Sequence, residues 1–155
     1  MPILTETPWF VRIPPPIWML VMLICAFAVD EASGGIPFVA VPWLAIAFAG
    51  AAVVLDVWAF ALFRLARTEM LPSSASNKKL VTSGPFRFSR NPMYLGWIML
   101  SLAVGFSIGS LPYFVVSVLM FFLCNNVFVP FEEAKMQRQF CDQYTDYLAR
   151  VRRWI

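Results

Sequence analysis

Two segments of the chain carry more polar and aromatic residues than a connecting loop requires. Residues 78–96 hold a Gly84-Pro85 turn, alternating aromatic and basic side chains, and an Asn91-Pro92 step of the kind that opens a helix. The second segment begins with two adjacent carboxylates and continues with aromatic and basic residues: Glu132, Glu133, Phe140, Tyr144, Tyr147, Arg150, Arg152, Arg153 and Trp154. Carboxylates accept charge-assisted hydrogen bonds, and aromatic rings offer faces to cations or other rings. Both segments are therefore candidate binding segments.

Histidine is absent from the chain, and the three cysteines form no closely spaced pair. Histidine is the usual general base near neutral pH and the commonest metal ligand, and a zinc site needs more ligands at closer spacing. A metalloenzyme or a Ser-His-Asp hydrolase is thus excluded, and we expect no metal. No glycine-rich strand–turn–helix fingerprint is present, which excludes a soluble nucleotide-binding methyltransferase domain. We expect no nucleic-acid partner.

Apolar residues make up 60% of the 155-residue chain and charged residues only 14%. Soluble domains are roughly 45–50% apolar, so part of this surface should face lipid. A helix needs about 20 residues to cross the hydrocarbon core. Four apolar stretches predict such spans, at about residues 14–31, 40–63, 92–108 and 111–131. We interpret the first as a span rather than a cleaved signal peptide, because no small-residue cleavage site follows it.

The basic residues predict the topology. Four crossings place all twelve Lys and Arg residues on one side of the membrane, which the positive-inside rule makes cytosolic. Three crossings would split the basic clusters between the two sides. Gly109 and Pro112 indicate a tight hairpin between the last two spans. The predicted fold is an all-α polytopic membrane bundle of about four transmembrane helices, in one domain spanning residues 1–155, with both termini cytosolic.

Residues 80–96 resemble the signature of the isoprenylcysteine carboxyl methyltransferase and phospholipid methyltransferase families, Leu-Val-x-x-Gly-x-Tyr-x-x-x-Arg-His-Pro-x-Tyr-x-Gly. The later segment is similar to their Glu-Glu pair, followed by Phe-x-x-x-Tyr-x-x-Tyr and a basic end that contains tryptophan. The resemblance covers residues 80–155, with both motifs in the family's order and one helical hairpin between them. Together the two motifs are a specific signal.

The resemblance implies S-adenosylmethionine as the cofactor and S-adenosylhomocysteine as the product. It implies cofactor-binding segments at residues 78–94 and 132–155, with the C-terminal helix covering the cofactor. The residues implied to bind the cofactor are Lys78, Lys79, Leu80, Val81, Gly84, Phe86, Asn91, Pro92, Met93, Tyr94, Glu132 and Glu133. Arg90 and Asn91 are the candidates for a catalytic role, mainly through positioning.

Two residues depart from the family pattern. Asn91 stands where the family usually has histidine; it keeps hydrogen-bonding capacity but handles no proton. Phe128 stands where the eukaryotic enzymes have an arginine assigned to the substrate carboxylate. The expected acceptor is therefore an amphiphilic or lipid-like molecule, or a lipidated one. A prenylcysteine carboxylate is one alternative, and a lipid amine, phenol or thiol is another.

Polar residues within the apolar stretches provide a hypothesis for the acceptor pocket. At 1.5 Å per residue, Asp56 lies about 12 Å from Arg64, and Asn125 and Asn126 lie about 10 Å from Glu132. Intramembrane ionisable groups usually face the interior of the bundle. We therefore expect Asp56, Asn125, Asn126 and Phe128 to line the pocket, and a purely structural interhelical hydrogen bond is the alternative.

The function predicted from these features is that of a membrane methyltransferase that uses S-adenosylmethionine on an amphiphilic acceptor. Apolar residues from position 132 to 151 share one helical face, which predicts an amphipathic helix at the interface that also covers the cofactor. Partners would be membrane lipids and the acceptor, and the small size indicates a bacterial inner membrane. Two alternatives stay open: a non-catalytic scaffold of the same fold, and a reductase-like relative that binds a nicotinamide dinucleotide.

Overall fold

The computed structural model of the protein describes residues 8–68 and 78–155. Within that part of the chain the regular structure is helical, apart from an isolated β-bridge between Pro37 and Ser110. The α-helices are α1 (Trp9–Arg12), α2 (Pro15–Ser33), α3 (Pro42–Ala66), α4 (Pro92–Ile108), α5 (Leu111–Leu123) and α6 (Val129–Arg150). A 3₁₀ turn (Gly84–Arg87) precedes α4, and a π-helical segment (Cys124–Phe128) joins α5 to α6. The predicted all-α membrane bundle is confirmed.

Among residues 8–68 and 78–155, three helical stretches are long and apolar enough to cross a membrane: α2, α3 and the continuous run Leu111–Arg150. The shorter α4 has 17 residues and is also apolar. Large apolar side chains on the outer faces of α2 and α3 are more than half exposed, among them Leu20, Ile46 and Val54. Apolar faces of this extent are stable against hydrocarbon and unfavourable in water. The chain is an integral membrane protein.

Proline and glycine set the ends of these helices. α2, α3, α4 and α5 each have proline at the first or second helical position, where the missing N–H has no intrahelical acceptor in any case. Gly109 ends α4 in a left-handed conformation with φ 75°, and α5 begins two residues later. This is the tight hairpin that the sequence predicts. The Asn91-Pro92 step likewise opens α4.

α6 departs from the single straight helix expected after residue 131. It continues from α5 through the π-helical segment and is then broken at Cys141, where φ is 44° and ψ is −117°. A non-glycine residue at positive φ is strained by about 1–3 kcal/mol. Beyond the break, the second half of α6 brings Tyr144 and Tyr147 into buried positions.

The helices α3 and α4 approach closely where Asp56 meets Gly96. A Cβ atom added at Gly96 would collide with the Asp56 carboxylate, so only glycine leaves room for that side chain. Oδ1 of Asp56 is buried and accepts no hydrogen bond within the described residues. Small residues let membrane helices pack closely without a hydrophobic driving force.

We expect Gly96→Ala to lower the melting temperature of the detergent-solubilised protein, since overpacking of this kind costs about 1–3 kcal/mol. Gly50→Ala is the matched control, because nothing lies within 4 Å of the added methyl group in that part of α3. Replacing glycine by alanine in an open helical position should leave the melting temperature unchanged or raise it. Equal melting temperatures for the two variants would contradict the close approach.

Candidate functional site

Two adjoining cavities lie at the end of the bundle where α3 ends and α4 and α6 begin, referred to below as the basic end because Arg64, Arg67 and Lys79 are there. The polar cavity has a volume of about 90 Å³ and is lined by Phe63, Lys79, Leu80, Val81, Phe86, Arg90, Asn91, Glu132, Glu133, Lys135, Met136, Tyr144 and Tyr147. The apolar cavity has a volume of about 170 Å³ and is lined by Pro14, Pro15, Pro16, Phe63, Phe86, Arg90, Asn91, Pro92, Met93, Tyr94, Trp97 and Glu132.

Glu132 lies on the wall that the two cavities share. It is joined there by Phe63, Phe86, Arg90 and Asn91. The Phe63 and Phe86 rings pack edge to face, with centroids 5.5 Å apart. A carboxylate at the boundary of a polar and an apolar cavity can bind a cation that is partly shielded from water, where its attraction is stronger than in bulk solvent.

Burial raises the pKa of the Glu132 carboxyl from its usual 4.5 to about 7. The neighbouring Tyr94 hydroxyl and the Lys135 ammonium lower this pKa, and the Glu133 carboxylate raises it. The Tyr94 hydroxyl is itself buried and makes no hydrogen bond of good geometry within residues 8–68 and 78–155. A buried hydroxyl in this state is costly unless a ligand satisfies it. The pair is therefore suited to hold a polar ligand.

Glu133, which also lines the polar cavity, forms ion pairs with two arginines. Its Oε1 accepts from Arg90 Nη2 at 3.0 Å and from Arg153 Nε at 3.1 Å, and its Oε2 accepts from Arg153 Nη2. Asn91 Nδ2 donates to the Arg153 carbonyl oxygen at 2.9 Å. The name C-terminal clamp is used below for these four residues, Arg90, Asn91, Glu133 and Arg153.

Backbone hydrogen bonds extend the clamp along the chain end. The Arg90 N–H donates to the Arg152 carbonyl oxygen at 3.0 Å, and Arg90 Nη1 donates to the Val151 carbonyl oxygen at 3.2 Å. The Ser89 hydroxyl donates to the Arg153 carbonyl oxygen at 3.3 Å. Arg90 and Asn91 therefore hold the C-terminal residues against the start of α4, and their side chains position this wall of the cavities.

Most residues that the sequence assigned to cofactor binding or to a catalytic role lie on the cavity walls. Those on the polar cavity are Lys79, Leu80, Val81, Phe86, Arg90, Asn91, Glu132 and Glu133, and those added by the apolar cavity are Pro92, Met93 and Tyr94. Lys78 and Gly84 do not line either cavity. The Lys78 N–H donates to the Thr68 hydroxyl, and Gly84 turns the chain with φ 60° against Trp58 and Leu62.

The four residues grouped as an acceptor pocket are not brought together. Asp56 lies against α4, whereas the Asn125 amide oxygen accepts from Trp154 Nε1 at 3.0 Å and its amide nitrogen donates to Asn126. Phe128 is fully buried, with its ring centroid 6.0 Å from that of Tyr94. None of the four lines the polar or the apolar cavity. The buried Phe128 ring instead packs beside the Tyr94 ring.

Several residues that line the cavities were not singled out by the sequence motifs. Pro14, Pro15 and Pro16 could have been noticed as a proline triplet at the start of the first span, and Trp97 stands three residues after Tyr94. Phe63 is one aromatic residue among many in a long apolar stretch, so nothing in the sequence separates it from its neighbours. Lys135 is buried near Glu132, which only the fold reveals.

The chain was compared with known proteins in three ways. The family model described as phospholipid methyltransferase matches residues 40–143. Searches of curated proteins and of solved structures gave no significant match. The matched range runs from the start of α3 into α6, so it includes Phe63, Tyr94 and Glu132 but ends before Arg153.

Glu133→Gln should release the C-terminal residues from the start of α4. A hydrogen bond to a charged group contributes about 1.5–3 kcal/mol, so amide exchange at Arg90, whose N–H is bonded to Arg152, should accelerate by roughly 10- to 100-fold. Hydrogen–deuterium exchange with mass spectrometry measures this change. Arg138→Gln, at an exposed position of α6, is the control and should leave exchange unchanged. Unaltered exchange in Glu133→Gln would contradict the clamp.

The raised pKa of Glu132 predicts that stability falls with rising pH. The native carboxyl keeps its proton up to about pH 7, whereas the unfolded one loses it near 4.5, so ionisation in this interval favours unfolding. We expect the wild-type melting temperature to decrease between about pH 5 and pH 8, and the decrease to be smaller in Glu132→Gln. Glu31→Gln, at the opposite end of the bundle, should behave as the wild type. An identical slope in Glu132→Gln would refute the assignment.

Proposed function

The chain belongs to the phospholipid methyltransferase family, and from this premise we propose that it is a membrane methyltransferase that uses S-adenosylmethionine to methylate an amphiphilic acceptor. Family membership by itself implies a membrane methyltransferase. The observation that supports the finer proposal is the position of Glu132 between a polar and an apolar cavity. One cavity suits a charged cofactor, and the other suits an apolar acceptor.

The residues of the two cavities fit S-adenosylmethionine. The cofactor has a sulfonium, an ammonium, a carboxylate, a ribose diol and an adenine ring. Glu132 and the buried Tyr94 hydroxyl offer an anion and an unsatisfied hydrogen-bonding group, and Lys79 offers positive charge for a carboxylate. The Phe63 and Phe86 rings offer apolar faces for adenine. The combined volume of the cavities approaches the lower end of the roughly 300–1,000 Å³ typical of ligand pockets.

The chain's contribution to catalysis would be positioning and exclusion of water. When bound, the cofactor supplies a methyl group on a positively charged sulfur; a nucleophile in line with the sulfur–carbon bond takes the methyl group, and the sulfur is the leaving group. Ionised Glu132 would fix the cationic part of the cofactor, and Tyr94 would fix its orientation by a hydrogen bond. The proline and aromatic walls of the apolar cavity would keep water from the reacting centre. Holding two reactants in line in this way supplies much of the rate enhancement of bimolecular transfers.

We place the acceptor in the apolar cavity rather than beside Asp56. Met93, Trp97 and the proline triplet at residues 14–16 form a wall between the starts of α2 and α4, which an amphiphile could reach from the bilayer. Arg90 is engaged by Glu133, so it offers little to an acceptor carboxylate. An amine, phenol or thiol suits this site better than a carboxylate, because the apolar cavity adjoins the Glu132 carboxyl and its cation, Arg90, is already paired.

The proposed setting is a bacterial inner membrane with the basic end in the cytosol. Positively charged residues are retained on the cytosolic side of membrane proteins. The orientation would place the polar cavity on the side where S-adenosylmethionine is available. It would also place both chain ends of this sequence in the cytosol.

Calorimetric titration of S-adenosylmethionine and S-adenosylhomocysteine into the detergent-purified protein tests the proposal. We expect saturable binding in the wild type and in the Arg138→Gln control, and a loss of at least about tenfold in Glu132→Ala, because a charge-assisted contact of about 1.5–3 kcal/mol is removed. Affinity for S-adenosylmethionine should also rise from pH 6 to pH 8 as Glu132 ionises.

The same titration separates the alternatives. Binding of a nicotinamide dinucleotide in place of S-adenosylmethionine would replace the proposal with a reductase-like function. Absence of binding to either ligand, in protein whose melting curve shows a folded state, would replace it with the scaffold function. Binding that Glu132→Ala leaves intact would retain the cofactor and reject the site.

A further inference from the structure

A third cleft opens at the basic end, and it is separate from the candidate active site. Its volume is about 260 Å³, and it is lined by Thr82, Arg87, Tyr147, Arg150 and Val151. The name arginine cleft is used for it below. Tyr147 is the residue that it shares with the polar cavity, and Glu132 is not on its walls.

The walls of the arginine cleft are held in place by hydrogen bonds across it. Arg87 ends the 3₁₀ turn, and Arg150 ends α6. The buried Tyr147 hydroxyl donates to the Phe86 carbonyl oxygen at 2.7 Å, which joins α6 to the 3₁₀ turn. The hydrogen bond from the Arg90 N–H to the Arg152 carbonyl oxygen joins the segment after the 3₁₀ turn to the segment after α6. The two arginines are therefore presented by fixed elements to one common space.

No carboxylate within the described residues forms an ion pair with Arg87 or Arg150. Arg150 Nε donates to the Asp146 carbonyl oxygen at 3.0 Å, a contact that does not use its terminal nitrogens. Two like charges around a small volume repel each other unless an anion lies between them. Guanidinium groups match phosphate geometry with paired hydrogen bonds, and the exposed Thr82 hydroxyl adds a donor at the rim.

An exposed apolar side chain beside the cleft indicates the source of the anion. Phe88, next to Arg87 in sequence, is 72% exposed. Arginine beside an exposed aromatic or aliphatic side chain is typical of the headgroup region of a bilayer, where the ring enters lipid and the cation meets phosphate.

We propose that the arginine cleft binds the phosphate of an anionic phospholipid from the leaflet at the basic end. This lipid is distinct from the acceptor, because the Tyr147 side chain stands between the cleft and the cavity that holds Glu132. The proposal does not depend on methyl transfer. Because Tyr147 lines both spaces, a bound lipid would also stabilise one wall of the polar cavity.

Lipid binding to the delipidated protein, measured by native mass spectrometry, tests the proposal. Phosphatidylglycerol should bind more tightly than phosphatidylcholine, by roughly 25-fold if each arginine contributes about fivefold. Arg87→Gln/Arg150→Gln should abolish this preference, and each single substitution should reduce it in part. Arg64→Gln/Arg138→Gln is the control, since it removes the same charge from exposed positions outside the cleft.

Three results would overturn the proposal. The first is an unchanged preference in Arg87→Gln/Arg150→Gln. The second is an equal loss in the control, which would indicate a general effect of net charge. The third is displacement of phosphatidylglycerol by millimolar glycerol 3-phosphate or inorganic phosphate, which would indicate a soluble anion as the ligand. Because the measurement reads binding alone, these results are independent of whether S-adenosylmethionine binds.

Discussion

Glu133 forms ion pairs with both Arg90 and Arg153, and the geometry of the site depends on these two contacts. Glu133 lies in α6, just after the predicted span at residues 111–131, Arg90 precedes α4, and Arg153 lies near the last residue. Three parts of the chain that are distant in sequence are thereby joined at one point. Partly buried ion pairs add little net stability, because desolvation offsets their attraction, but they discriminate strongly between alternative arrangements. The C-terminal clamp thus holds the C-terminal residues in one position, against the start of α4.

The same ion pairs explain why two adjacent carboxylates have different properties. Glu133 is neutralised by two guanidinium groups, whereas Glu132, one residue earlier, is buried among apolar side chains and has a pKa of about 7. Successive residues of a helix point about 100° apart, so a Glu-Glu pair presents one carboxylate to each side. Glu133 thereby joins distant parts of the chain, and Glu132 remains on the wall that the two cavities share.

The sequence predicted those features that local signals determine. Apolar length, prolines at helix starts and Gly109 indicated the helices and the hairpin, and the two motifs indicated most of the cavity walls. The acceptor grouping around Asp56 and Asn125 was not found, because helical rise gives depth along an axis but not the direction in which a side chain points. Phe63 carries no local signal. The role of Arg90 in the clamp depends on contacts with residues about sixty positions away, which no local pattern encodes.

The break at Cys141 divides α6 into two mechanically different parts. The first part continues the helix that rises from the bilayer and carries Glu132 and Glu133, whereas the second carries Tyr144 and Tyr147 across the polar cavity. A single left-handed residue at this position can act as a hinge, since rotation there leaves the hydrogen-bond ladders on both sides intact. Displacement of Tyr144 and Tyr147 about this residue would therefore break the hydrogen bond from Tyr147 to the Phe86 carbonyl oxygen, and the packing between the lipid-embedded helices would be retained.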